Sequence, residues 1–239
     1  MYDTVQEIFS EEKFFRYGFN AWDLSHLDVV SRLDILISKI LEGGLSEPFH
    51  FACKYPGSYD FRPSVIEYDP LFLDVIREVG VIELLKENFG KGLALCHVQL
   101  RVAESRGSGY AGWHRDSYYT SDGAVGNIPP ALKLIYYPKL SFAVEDQLKI
   151  AAGSHRLDFG SRFVDRFLIG TGALSEIKTI TNDRNNWVLF DTSALHATCP
   201  VRNNKWSPRL IYTFLNSKLD REYPFAKKIA EYMEEHSHE

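Results

Sequence analysis

The chain has 239 residues, 45% of them apolar and 25% charged, a composition that excludes a disordered, collagenous or low-complexity protein. A net charge of −5 leaves no basic footprint for a phosphate backbone, so no nucleic-acid partner is expected. No apolar run approaches the ~20 residues of a membrane span, Met1-Tyr2-Asp3-Thr4 shows no targeting pattern, and Cys53, Cys96 and Cys199 share no CxxC spacing. A cytoplasmic protein with reduced thiols is expected, with neither a disulfide framework nor a thiolate zinc site.

The first clear element is an amphipathic helix from Ser25 to Leu41, with Leu27, Val30, Leu33, Ile37 and Ile40 on one face, Ser25 as N-cap and Gly43-Gly44 as the stop. The stretch Phe49 to Pro63 mixes aromatics with Pro56, Gly57 and Pro63 and reads as irregular. A second helix is expected from Asp69-Pro70 to Gly90, broken in two at Gly80. From Leu93 the period shortens, and the runs Leu93–Val102, Tyr110–Tyr119, Leu132–Tyr137, Gln147–Ala151, Trp187–Asp191, Ala197–Val201 and Arg209–Leu215 read as strands of an antiparallel sandwich or barrel. Residues 157–185 read as a connection whose Arg162, Arg166, Lys178 and Arg184 face solvent, and Pro224 to Glu235 as a charged helix outside the sheets.

His114-Arg115-Asp116 carries the first chemical signal. On a strand, residues two apart point to the same side, so an imidazole and a carboxylate form a two-toothed claw. His26-Leu27-Asp28 has the same spelling but falls in the expected helix, where positions i and i+2 diverge. The third ligand should come from a later strand, and His196, following the apolar run 187–191, is the candidate. Two histidines and a carboxylate suit Fe(II) with open positions for oxygen chemistry, and they equally suit zinc with a bound water. Arg209 tilts the choice toward iron, because a guanidinium can clamp the far carboxylate of a bound 2-oxo diacid in bidentate fashion; a surface salt bridge is its ordinary alternative.

Three stretches, Gly112-Trp113-His114-Arg115-Asp116, Ala152-Gly153-Ser154-His155-Arg156, and Val188-Leu189-Phe190-Asp191 through His196-Ala197-Thr198 to Arg209, resemble the phytanoyl-CoA dioxygenase family of Fe(II)/2-oxoglutarate oxygenases. The resemblance covers roughly residues 90 to 217. It implies a mainly β fold with flanking helices around a double-stranded β-helix, the cupin-like jelly roll. One domain over 1–239 is then expected, with a mainly helical part at 1–90, the jelly roll at 91–217 and a C-terminal helix at 218–239. It also implies Fe(II) on His114, Asp116 and His196, and 2-oxoglutarate anchored by Arg209 and Thr198, with Arg202 in reserve. His155 belongs to a loop motif. The carboxylate at Asp116 favours hydroxylation over halogenation.

Gln99 and Arg101 share the polar face of the run Leu93–Val102 with His97 and could orient cosubstrate or substrate if that face lines the interior; an exposed face is the alternative. Lys133 could neutralise a carboxylate inside the barrel. Trp113, Tyr118 and Tyr119 flank the claw as core or pocket wall, and residues 107–112 and 121–130 read as substrate-facing loops. The expected activity is O2-dependent hydroxylation of an unactivated C–H bond of a small metabolite, an amino acid or natural-product intermediate, with release of succinate and CO2. A zinc hydrolase or isomerase on the same barrel, and a non-catalytic small-molecule binder, are the alternatives.

Overall fold

The computed structural model describes residues 4–44, 51–55, 58–61, 65–90, 93–104, 112–116, 131–139, 147–157, 162–172, 176–181, 185–199 and 206–216. The N-terminal part contributes helices α1 (Glu11–Tyr17), α2 (Asp28–Gly44), α3 (Val65–Tyr68), α4 (Leu71–Glu78) and α5 (Val81–Phe89), and strands β1 (Phe19–Trp22), β2 (Phe51–Tyr55) and β3 (Ser58–Phe61). There follow β4 (Leu93–Glu104), β5 (Ala131–Tyr136), β6 (Gln147–Ala151), helix α6 (Arg162–Gly170), β7 (Ile177–Thr181), β8 (Trp187–Asp191), β9 (His196–Cys199) and β10 (Trp206–Asn216). Among the described residues no helix is long and apolar enough to cross a membrane.

The strands form two antiparallel sheets, one of seven in the order β1-β8-β5-β10-β4-β3-β2 and one of three in the order β7-β6-β9. The period of two along each strand sorts the large sheet's side chains onto two cores. Val98, Leu100 and Val102 of β4, Leu134 and Tyr136 of β5, Leu189 of β8, and Leu210, Tyr212 and Phe214 of β10 share one core with Val30, Leu33 and Ile37 of α2 and Phe72, Leu73 and Ile76 of α4. Ile135 and Tyr137, Val188 and Phe190, and Ile211 face the other way, onto Leu148, Ile150 and Ile180 of the small sheet. Covered on both faces, β8 is buried at every position.

The helix pair α4 and α5 breaks where Gly80 takes φ 80, a left-handed turn that glycine adopts without steric cost. Asp69 Oδ1 accepts from Leu71 N at 2.9 Å at the head of α4. Helix α2 starts at Asp28, three residues after the expected cap, because Ser25 is spent on a turn in which its N and Oγ donate to Asp23 Oδ1 at 3.0 and 2.7 Å. His26-Leu27-Asp28 therefore precedes and opens the helix, and Asp28 pairs with Arg32 at 3.2 Å.

Two expectations need correction, and one strand is added to them. The stretch Phe49 to Pro63 holds the antiparallel pair β2 and β3, and β3 extends the large sheet through Asp60↔Arg101. The connection 157–185 holds α6 and β7, the latter pairing along β6 from Gln147↔Thr181 to Ala151↔Ile177. Short β1, not foreseen, closes the other edge of the large sheet through Phe19↔Phe190 to Trp22↔Trp187. The expected C-terminal helix, and all but residues 112–116 of the Tyr110–Tyr119 run, lie outside the described residues.

Helix α1 ends at Gly18 (φ 86), whose N–H donates to Phe14 O at 2.7 Å. A Cβ there would lie 2.6 Å from His155 Nδ1. Gly18→Ala should therefore cost about 1–3 kcal/mol through backbone strain and collision with a buried ring. Urea unfolding should show a lower midpoint at unchanged slope; an unchanged midpoint would contradict the close approach.

Candidate metal centre

His114 and His196 exchange backbone hydrogen bonds, N to O in both directions at 2.9 Å, an antiparallel bridge on the free side of β9. The two rings consequently stand 4.3 Å apart between centroids. Asp116 follows two residues on, its N–H donating to Thr192 O at 3.0 Å. Its Oδ1 lies 3.6 Å from His114 Nε2 and its Oδ2 3.5 Å from His196 Nε2. These ligand atoms all lie within 4.8 Å of one another, near enough for small side-chain shifts to bring all three onto one ion.

The ring tautomers suit a metal. His114 Nδ1 faces Gly112 O at 2.7 Å and His196 Nδ1 faces Ala194 O at 2.8 Å. A carbonyl only accepts, so each Nδ1 carries a hydrogen and Nε2 is the ring atom that each histidine turns toward Asp116, available to a metal when it is deprotonated. Burial pushes the His196 imidazole down to about 4, which keeps it neutral at ordinary pH. For His114 burial also works downward, but Asp116 and the Gly112 carbonyl outweigh it and raise the ring above its ordinary value. Burial would lift the Asp116 carboxyl; the neighbouring His114, Lys133 and His196 more than offset it and hold the group well below the usual carboxylate range. Phe190 closes the His196 side with a ring contact at 4.9 Å.

Lys133 reaches this cluster from β5, its Nζ donating to Asp116 Oδ2 at 2.8 Å. Arg209 is buried on β10 with the parity of Ile211, on the face turned to the small sheet. Thr198 lies opposite Leu148, as His196 lies opposite Ile150, so the two occupy the same face of β9. Gln99 and Arg101 share the inward face of β4, opposite Ile211 and Arg209. Both are engaged by Asp60, which sequence reading did not single out: Arg101 Nε donates to Oδ1 at 2.7 Å, and Gln99 Nε2 to Oδ2 at 3.3 Å. The described contacts thus join Lys133 to the triad and give Gln99 to Asp60. His97, half-buried, occupies the inward position opposite Thr213.

The loop motif is a brace. Ser154 Oγ donates to Ala151 O at 2.6 Å and accepts from Leu195 N at 2.8 Å, fixing the residue before His196. His155 Nε2 meets Phe15 O at 3.1 Å, away from the triad, and burial pushes its ring down to about 4. Trp113 is half-buried, whereas Tyr118, Tyr119 and Arg202 lie outside the described residues. Lys178 is exposed and pairs with Glu176 at 2.7 Å. Buried Cys96 is a free thiol pushed up to about 12.

No family model matches the chain, and no curated protein does. Solved structures do. HygX from Streptomyces hygroscopicus, with nickel, 2-oxoglutarate and hygromycin B bound, is 11% identical with a TM-score of 0.64, over 88% of each chain. EctD from S. alaskensis, with 2-oxoglutarate and 5-hydroxyectoine, is 16% identical with a TM-score of 0.64, over 91% of this chain and 80% of that one. The chain has their jelly-roll fold. SnoN, a non-heme alpha-ketoglutarate-dependent epimerase from nogalamycin biosynthesis, matches at TM-score 0.61 and 12% identity over 89% of this chain and 85% of its own. The match to EvdMO1 (TM-score 0.59, 19% identity) covers 86% of this chain but spans about half, 49%, of that one.

The turn before His196 is set by Asp191, whose Oδ1 accepts from Ser193 N at 2.8 Å and also from Ser193 Oγ. Burial pushes its carboxyl up to about 6, above the unfolded value of about 3.9. The contribution of a raised group is whole below the unfolded value and is lost as pH rises through the folded one, here about 6. Asp191→Asn removes that loss while keeping the accepting oxygen. Measured by urea midpoints at about pH 5 and about pH 8, its stability relative to the parent should improve by roughly 1–3 kcal/mol at the higher pH. A pH-independent difference would show that Asp191 stays ionised throughout.

Proposed function

We propose that the chain is a non-haem Fe(II)/2-oxoglutarate-dependent oxygenase of the phytanoyl-CoA dioxygenase-like kind. In this reading it hydroxylates an unactivated C–H bond of a small metabolite, an amino acid or natural-product intermediate, in the cytoplasm. The observation that carries the reading is the donor set: two imidazoles whose Nδ1 atoms are committed to carbonyls, and one carboxylate, all converging on one point. Three protein donors on one face leave positions for further ligands, as oxygen chemistry requires. The neighbours HygX and EctD, crystallised with 2-oxoglutarate, share the fold that presents this set.

His114, Asp116 and His196 would hold Fe(II). When bound, Fe(II) with 2-oxoglutarate and O2 supplies the oxidising power for C–H hydroxylation, with succinate and CO2 as co-products. Arg209 and Thr198 would hold the far carboxylate of 2-oxoglutarate. Across three strands Asp60, Arg101 and Arg209 stand in one row, which sets two arginines side by side on the face turned to the small sheet. Lys133 offsets the charge of Asp116, and the apolar face of Ile135, Val188, Phe190 and Ile211 excludes water beside the site.

A zinc hydrolase or isomerase would use the same three ligands without Arg209. Epimerisation is a second outcome on the iron reading, because the neighbour SnoN is an epimerase; incorporation of 18O from O2 into product separates it from hydroxylation.

Anaerobic addition of Fe(II) and 2-oxoglutarate to the metal-free protein should produce a weak visible charge-transfer band, absent in His196→Ala and Asp116→Ala. Arg209→Ala should raise the 2-oxoglutarate concentration required by roughly 30-fold or more, the effect of removing one partner of a buried charge pair. No band together with tight zinc binding would instead support the hydrolase.

A further inference from the structure

Between the two proposed ligands of the claw sits a residue that the oxygenase chemistry does not use. Arg115 turns away from His114 and Asp116 into the interior, where its side chain is 2% exposed and that of its partner Asp165, on α6, is 4% exposed. Nε donates to both carboxylate oxygens of Asp165, at 3.0 and 3.1 Å. Nη1 donates to Ser154 O at 2.8 Å and to Ser193 O.

Each of those partners leads back to the other half of the metal centre. Ser193 belongs to the turn whose flanking carbonyls, Thr192 O and Ala194 O, hold Asp116 N and His196 Nδ1. Ser154 Oγ accepts from Leu195 N, immediately before His196. One guanidinium therefore ties the claw to the segment bearing the distal histidine, and Asp165 fixes the plane of that guanidinium from outside both.

We propose that Arg115, oriented by Asp165, is a positioning residue that sets the distance and angle between the His114–Asp116 claw and His196, and thereby the affinity and geometry of the metal. The proposal rests on the metal-binding reading of the triad. Its physical basis is that a buried ion pair adds little net stability, because desolvation cancels most of the attraction, whereas a planar five-donor fork fixes several acceptors in one geometry. Lysine keeps the charge at position 115 but cannot reproduce the fork.

The test uses Co(II) as probe on the full chain stripped of metal, reading affinity by equilibrium dialysis and geometry by the visible ligand-field bands. Asp165→Asn is the principal variant, since it keeps shape and one accepting oxygen, and Arg115→Lys is the second. Tyr136→Phe serves as control, because it breaks another hydrogen bond of a buried side chain, Tyr136 O–H to the half-buried Asp34 Oδ1 at 2.5 Å, in the core shared with the helices. Both test variants should bind Co(II) roughly 10–100-fold more weakly, with altered bands, as outer partners of metal ligands do. Tyr136→Phe should lose thermal stability while keeping the parent's affinity and spectrum.

Parent-like affinity and bands in Asp165→Asn and Arg115→Lys would overturn the proposal, as would an equal loss of affinity in Tyr136→Phe. A parent chain whose Co(II) binding is absent, or indifferent to His196→Ala, would overturn the metal reading itself and is told apart by that control.

Discussion

The reciprocal backbone hydrogen bonds between His114 and His196 constrain everything around the site. They convert two residues 82 positions apart into a directly opposed pair, and in an antiparallel ladder opposed residues carry their side chains to the same side. Asp116 follows two residues on and is held to the same side by its amide hydrogen bond to Thr192 O. The bridge in turn needs β9 in place. Strand β9 pairs with β6, and Leu148 and Ile150 of β6 sit in the inner core between the sheets. The hydrophobic packing of the two sheets is thus what holds three polar groups within reach of one another.

A short turn does much of the fine positioning. Thr192, Ser193 and Ala194 present three consecutive carbonyls to three different parts of the centre: the Asp116 amide, the Arg115 guanidinium and the His196 ring. Consecutive carbonyls in a strand would point alternately to opposite neighbours, so this convergence requires a turn. Asp191 makes it by accepting from Ser193 N, and Thr192 Oγ pins it to Ala131 O at 3.0 Å. The buried carboxyl of Asp191 is costly, which is why its proton affinity rises.

The parts legible in the sequence were those governed by short-range periodicity. The apolar stretches of β4, β5, β6, β8 and β10 gave their strands directly, and the positive-φ demand at Gly80 marked the break between α4 and α5. The claw was legible for the same reason, as two ligand types at strand spacing. Strands β1 and β3 have four residues each, too short for alternation to stand out, and β7 mixes Ile with Lys and Thr, with Ile180 buried but Ile177, Lys178 and Thr179 exposed. Asp60, Asp165 and Asp191 were illegible as site components. The first two gain meaning only from arginines 41 and 50 residues away, and nothing local distinguishes a buried acid from a solvated one. Arg115 was equally silent, because the middle of an HxD triplet carries no pattern of its own.

Charge placement gives the centre its order of construction. Asp116, Asp165 and Asp60 each face a cation: Lys133 at 2.8 Å, Arg115 at 3.0 Å and Arg101 at 2.7 Å. An unpartnered carboxylate in these surroundings would take up a proton instead of remaining a ligand or a clamp. Two of the three pairs use arginine, where a plane must be fixed, and the one beside the proposed metal uses lysine, a point charge on a flexible stem. That difference fits the demands made on each. On the proposed metal-binding reading, the Asp60 and Asp165 pairs would hold geometry that does not change on binding, whereas Asp116 would exchange part of its electrostatic support for a divalent cation, and a single ammonium can shift aside without dismantling a network. A guanidinium at position 133 would bind the carboxylate through both oxygens and compete with the metal for them.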